Sequence, residues 1–98
     1  MKKTAIIIFA CALIIGCGKQ PTSDFTWSPN NPKAGEEVQF INSSINAKKY
    51  DWNLGNIKVS SEANPKNTYL NEGDYIVDLN ARSGLKIDTK TVTITISK

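Results

Sequence analysis

Residues 49–82 read KYDWNLGNIKVSSEANPKNTYLNEGDYIVDLNAR, and their alternation of apolar residues and chain breakers implies an all-β architecture. In 49–54 the apolar Tyr50, Trp52 and Leu54 alternate with Asp51 and Asn53, the period-two pattern of a strand with one buried face. Gly55-Asn56 ends it, both residues being at home in tight turns. Residues 74–82 repeat the pattern at greater length, with Tyr75, Val77, Leu79 and Ala81 on one side. Between these two, 57–60 and 67–70 are shorter strands, the second following Pro65.

Working outward, 25–27 (Phe-Thr-Trp) is a strand stopped by Ser28-Pro29-Asn30-Asn31-Pro32, and 37–41 is another, reached through Ala34-Gly35. Downstream, 87–97 alternates Val92, Ile94 and Ile96 with Thr91, Thr93 and Thr95. No helical period is visible after residue 16. Short antiparallel strands, each with a single apolar face, are most economically buried as two sheets packed face to face, so an antiparallel β-sandwich is expected over 24–98.

The first residues carry a different signal. Lys2 and Lys3 precede an apolar run at 5–15, AIIIFACALII. A bilayer-spanning helix needs about 20 apolar residues, so the run is too short to span and fits the core of a secretory signal peptide. Ile14-Ile15-Gly16-Cys17 resembles the bacterial lipobox. That resemblance implies cleavage after residue 16, acylation of Cys17 with diacylglyceryl and palmitate-type chains, and a membrane-anchored protein of the bacterial cell envelope. Cys11 would leave with the signal, so no disulfide partner remains for Cys17. Gly18 stands where an acidic residue would imply retention in an inner membrane, so the outer membrane or cell surface is expected. Residues 17–23 (CGKQPTS), polar and containing Pro21, read as a lipidated tether ahead of the domain.

The chain has 98 residues, with 12 Lys and Arg against 9 Asp and Glu and no His. Ninety-eight residues allow one small domain and exclude a multidomain enzyme. Removing Lys2 and Lys3 leaves a nearly balanced charge without a basic cluster, which argues against nucleic acid as a partner. Without imidazole there is no Ser-His or Cys-His pair and no His-containing zinc site. The acids Glu36, Glu37, Asp51, Glu72, Asp74 and Asp78 lie at strand starts or on polar faces, not as a converging catalytic pair. No D-x-D-x-D-G run occurs. A non-enzymatic module without metal or cofactor is therefore expected.

Taken in order, Gly35-Glu36-x-Val38-x-Phe40, Tyr50-Asp51-Trp52-Asn53-Leu54-Gly55-Asn56, Asn64-Pro65-x-x-Thr68-Tyr69 and Gly73-x-Tyr75-x-Val77-x-Leu79 resemble the polycystic-kidney-disease (PKD) domain. The resemblance covers roughly 24–96. It implies an immunoglobulin-like β-sandwich used outside the cytoplasm for adhesion, spacing and protein or glycan contact. Asn53 and Asn56 stand where the family commonly has Asp, Ile57 where a second Gly is common, and Asn67 where a His is frequent.

By strand parity all seven aromatics of the mature chain point inward. Phe40, Trp52, Tyr69 and Tyr75 are the expected core, Trp52 between the sheets and Tyr75 as a tyrosine corner with its hydroxyl on nearby backbone. Glycan stacking on an exposed ring is then disfavoured. Contacts are expected from the Ser- and Asn-rich loops 42–46 and 56–64, through Asn42, Ser43, Ser44, Asn46 and Asn56, and from Arg82 on the outward sheet face. The expected function is a lipid-anchored protein-interaction, adhesion or spacer module. The alternatives are a polysaccharide-binding accessory and a non-catalytic subunit of an envelope enzyme complex.

Overall fold

The structure is a computed structural model in which residues 19–98 are described. The signal peptide read at 1–16 and Cys17 lie outside the described residues. Seven strands follow in order: β1 (Phe25–Ser28), β2 (Glu37–Asn42), β3 (Lys49–Asn53), β4 (Val59–Ser60), β5 (Lys66–Thr68), β6 (Gly73–Ser83) and β7 (Lys86–Ile96). They form two sheets, β1-β2-β5 and β4-β3-β6-β7, with every strand pair antiparallel. The all-β immunoglobulin-like sandwich expected from the sequence is what forms, and each strand lies within a residue or two of its expected place.

Side-chain parity builds the core. Phe25, Val38 and Phe40 enter it from the smaller sheet, and Trp52, Val77, Leu79, Ile94 and Ile96 from the larger. The Trp52 ring packs 4.9 Å from that of Phe25 and 5.4 Å from that of Phe40, tying the sheets together across their interface. Its indole N–H donates to the Glu62 carbonyl at 2.9 Å, so the buried polar atom is satisfied. Trp27, Tyr50 and Tyr75 are half-buried and pack against this cluster.

β6 and β7 form a hairpin of eleven residue pairs joined by Gly84-Leu85. Gly84 has φ +62, as the first central residue of a type II′ turn requires, and Leu85 stands at the tip fully in solvent. At the opposite end Ser97 pairs in parallel with Lys33. The Ala34 N–H donates to the Ser97 carbonyl at 2.8 Å and the Ser97 N–H to the Pro32 carbonyl at 3.1 Å. This seam joins the end of the larger sheet to the chain leading into the smaller.

The segment read as tether is partly built into the domain. Pro21 is buried, and Thr22 and Ile45 exchange two backbone hydrogen bonds of 3.0 Å. The buried Ser23 hydroxyl donates to the Leu79 carbonyl at 2.8 Å, and its N–H donates to Asp88 Oδ2 at 2.7 Å. The ordered domain thus begins by Pro21 and not at Asp24, because these groups find partners far along the chain that local composition does not reveal. The chain therefore enters at one pole, beside the loop 43–48 and the hairpin tip. The loops 29–36, 54–58 and 69–72 form the distal pole.

Candidate functional site

The sequence-expected contact residues do not converge. Asn42, Ser43, Ser44 and Asn46 lie at the N-terminal pole, Asn56 at the distal pole, and Arg82 on the outer face of the larger sheet. Several have structural duties. The Asn42 backbone N–H donates to Asn64 Oδ1 at 2.8 Å and its side-chain amide to the Ala63 carbonyl at 3.1 Å. Ser44 accepts the Asp24 N–H on its hydroxyl at 3.0 Å, and the Ser43 N–H donates to the Asp24 carbonyl at 2.9 Å. Asn46 takes the left-handed backbone (φ +57) that asparagine tolerates. The loop 42–46, expected to supply ligand contacts, holds β1 against β2, since the residues that suit ligand contact also suit turns.

The outer face of the larger sheet is a polar ladder. Thr89 donates to Asn80 at 2.5 Å, Thr91 to Asp78 at 2.6 Å and Thr95 to Asp74 at 2.8 Å, and the Arg82 guanidinium pairs with Asp51. Beside it a shallow hollow of about 480 Å³ is lined by Asp51, Asn53, Val59, Ser61 and Asn80 among others. No aromatic lies fully exposed on this face or elsewhere among the described residues. Among the same residues no three acidic or Cys side chains gather as a metal site.

The distal pole differs in character. In the turn after β3 the Leu54 N–H donates to the Lys58 carbonyl at 2.9 Å, and the Gly55 N–H to Asn53 Oδ1 at 3.1 Å. Gly55 (φ +89) is required, because a Cβ there would stand 2.7 Å from the Ile76 carbonyl oxygen. Asn56 Oδ1 accepts the Asn67 amide at 3.0 Å, holding the turn to β5. Between these fixed residues Ile57 sits at φ +73 with its side chain 99% exposed. A β-branched residue in the left-handed region is strained, and here the strain is not repaid by burial. Leu70 is also exposed, and with Asn56, Lys58, Thr68, Asn71 and Tyr75 it lines a hollow of about 260 Å³.

The floor of this pole is rigid. The Tyr75 hydroxyl donates to the Asn71 carbonyl at 2.7 Å, closing a tyrosine corner, and the Tyr69 ring stacks 4.6 Å away. The buried Tyr69 hydroxyl donates to the Leu54 carbonyl at 2.7 Å. Burial pushes its phenol above the ordinary 10.0, opposed in part by its hydrogen bond with Asn67 and reinforced by the nearby Tyr75. Ile57 and Lys58 lie in the loop 56–64 from which contacts are expected, although Asn56 is the residue singled out there; Leu70 lies outside both expected loops. Gly55-Asn56 marks the turn in the sequence, and the replacement of a common glycine by Ile57 is the one sign of something unusual in it.

A family model described as PKD domain matches residues 18–97. The chain belongs to the PKD domain family. Its PKD fold is similar to the crystal structure of the PKD1 domain of Vibrio anguillarum Epp, with 26% identity over 82% of this chain and 96% of that one and a TM-score of 0.71. The PKD1 domain from the Vibrio cholerae metalloprotease PrtV is 27% identical over 82% of this chain and 100% of that one, with a TM-score of 0.68. A structure described for the promiscuous specificity of carbohydrate-binding modules from the β-sandwich superfamily gives a TM-score of 0.77 and 26% identity over 83% of this chain. This chain spans about a third (36%) of that protein's length. The comparison with curated proteins gave no match. Within the PKD pattern, Ile57 takes a positive φ at a position where glycine is common, so the departure noted in the sequence coincides with the strained residue.

Proposed function

We propose that this PKD domain is a non-catalytic recognition module of the bacterial cell envelope, anchored through acylated Cys17 and binding an extracytoplasmic protein with its distal pole. The observation that carries the reading is the opposition of the two ends. The chain enters beside Ile45, and the strained, exposed Ile57 and the exposed Leu70 stand at the other end of the strands. An N-terminal anchor therefore presents that end outward. Strain held by a well-bonded turn is characteristic of binding sites, and exposed apolar side chains ringed by Asn56, Lys58 and Asn71 match the apolar centre and polar rim of a protein interface.

Two experiments test the two parts. Cys17→Ser is expected to abolish fatty-acid labelling and leave uncleaved precursor, and a Ser variant that still labels with fatty acid refutes the anchor. For the distal pole, Ile57→Asp with Leu70→Asp is expected to abolish crosslinked partners in intact envelopes without lowering the melting temperature. Partners retained by that variant refute this site.

Polysaccharide recognition by the polar sheet face is the second reading. The hollow beside Asp51 and Asn80, together with the similarity to carbohydrate-binding modules, favours it. Binding to a glycan array that is lost on Asn80→Ala, with folding intact, would place it first.

A further inference from the structure

The pole at which the chain enters gathers a second set of unburied groups. Leu85 at the hairpin tip is 101% exposed, and Ile45 and Ile87 are exposed at the same end. Lys48 and Lys49 stand exposed among them, with the half-buried Lys86 at the base of the hairpin. The Lys48 N–H donates to the Arg82 carbonyl, Lys49 pairs with Arg82 across the sheet, and Lys86 closes the hairpin opposite Ser83. The nearby acids are engaged: Asp51 by Arg82, Asp88 by the Ser23 N–H, and Asp24 by Lys90 at 3.5 Å. Glu36, Glu37, Glu72 and Asp74 all lie toward the distal pole. The domain thus has a basic, apolar-tipped end, whereas at the distal end these acids are mixed with Lys33, Lys58 and Lys98. Single exposed apolar residues need no explanation, but this combination surrounds the place where the chain arrives.

We infer that this pole is a membrane-docking surface that meets anionic phospholipid, with Leu85 and Ile45 reaching the interface and Lys48 and Lys49 contacting headgroups. The inference rests on the lipid-anchor reading and makes it more specific. Pro21 is buried, so only three residues separate the fixed chain from Cys17, and the four Cα–Cα steps reach about 14 Å at full extension. An acyl chain on Cys17 therefore holds the basic pole close to the Debye length of about 8–10 Å at which headgroup charge is felt. Lysines near such a surface attract anionic lipid, and apolar side chains at a hairpin tip enter the interface. The occupant is a bilayer, since the same short tether leaves little room for a protein between this pole and the membrane.

The test uses residues 17–98 made without the signal, which contain both sheets and the whole core. The free Cys17 thiol is coupled to a maleimide lipid in vesicles, either phosphatidylcholine alone or an equal mixture with phosphatidylglycerol. Lysine acetylation read by mass spectrometry reports contact. Lys48 and Lys49 are expected to label several-fold more slowly on the anionic vesicles, with the protection released by salt, while Lys58 and Lys98 label equally on both. Leu85→Ser with Ile45→Ser should weaken the protection. For the untethered domain, Lys48→Gln or Lys49→Gln should each lower binding to anionic vesicles about five-fold. Equal labelling of Lys48 and Lys49 on both vesicles, or equal protection of Lys58 and Lys98, overturns the inference. Because the tether is chemical, its outcome is separate from Cys17→Ser labelling in cells, which tests the natural anchor.

Discussion

Replacing Ile57 by glycine should make the domain more stable, although it deletes a large apolar side chain. That side chain is 99% exposed, so its removal forfeits almost no burial. Its backbone lies at φ +73, where a residue with a Cβ is disfavoured by about 1–2 kcal/mol and glycine is not. Against this, glycine gives the unfolded chain extra freedom worth about 0.5–1 kcal/mol. The net expectation is a gain of about 0.5–1 kcal/mol, or about 3–6 °C in Tm for a domain of this size. Urea and thermal denaturation of the wild-type, Ile57→Gly and Ile57→Asn chains measure it, asparagine being expected between the other two because it tolerates the left-handed region. A lower Tm for the glycine variant would show that the turn at 54–58 is not strained, removing the main reason for placing recognition there. A higher Tm joined to loss of the crosslinked partner would show stability traded for binding.

Gly55→Ala is expected to destabilise strongly, by about 3 kcal/mol or more, since its Cβ would meet the Ile76 carbonyl at 2.7 Å, and to do so well beyond Gly84→Ala, where nothing lies within 4 Å. Comparing the two denaturation midpoints separates steric clash from backbone conformation. Trp52→Ala should lose about 3–5 kcal/mol through its place between Phe25 and Phe40, much of the total for a small domain, and a soluble variant with unchanged Tm would contradict that packing. For Tyr69, the folded-state pKa is raised above 10.0, so its contribution is intact below that pH and lost as the unfolded state deprotonates first on further rise. Stability should therefore fall above pH 10.0, and Tyr69→Phe should flatten that fall in denaturation measured across the alkaline range.

The longer strands were legible because each has one wet and one dry face, which the two-residue β4 lacks. Tyr75, Val77, Leu79 and Ala81 announce the inner side of β6, and the same rule places Trp52. The seam between Lys33 and Ser97 was not legible, since a backbone pairing between segments so far apart leaves no periodic trace. Nor was the docking of Pro21 and Ser23, whose composition is that of a linker and whose bonds depend on Leu79 and Asp88. The candidate site was only half visible. A sequence shows that an isoleucine replaces a common glycine, but the sign of φ at Ile57 depends on bonds made by Asn53, Asn56 and Lys58 around it. Conversely, Asn42 and Ser44 read as available for ligands because side chains that cap turns and side chains that hold partners have the same chemistry.

The buried start of the domain, at Pro21 and Ser23, also determines how it bears tension. A pull between the N-terminus and the distal pole runs nearly along the strands. It therefore stresses the Thr22–Ile45 pair, the two Ser23 bonds and the β1–β2 ladder side by side. Ladder hydrogen bonds lie across the strand direction, so such a load must shear them together instead of unzipping them one after another. Had the chain been free as far as Asp24, only β1 would resist. The two added residues brace the larger sheet as well, which suits a domain held at one end and gripped at the other.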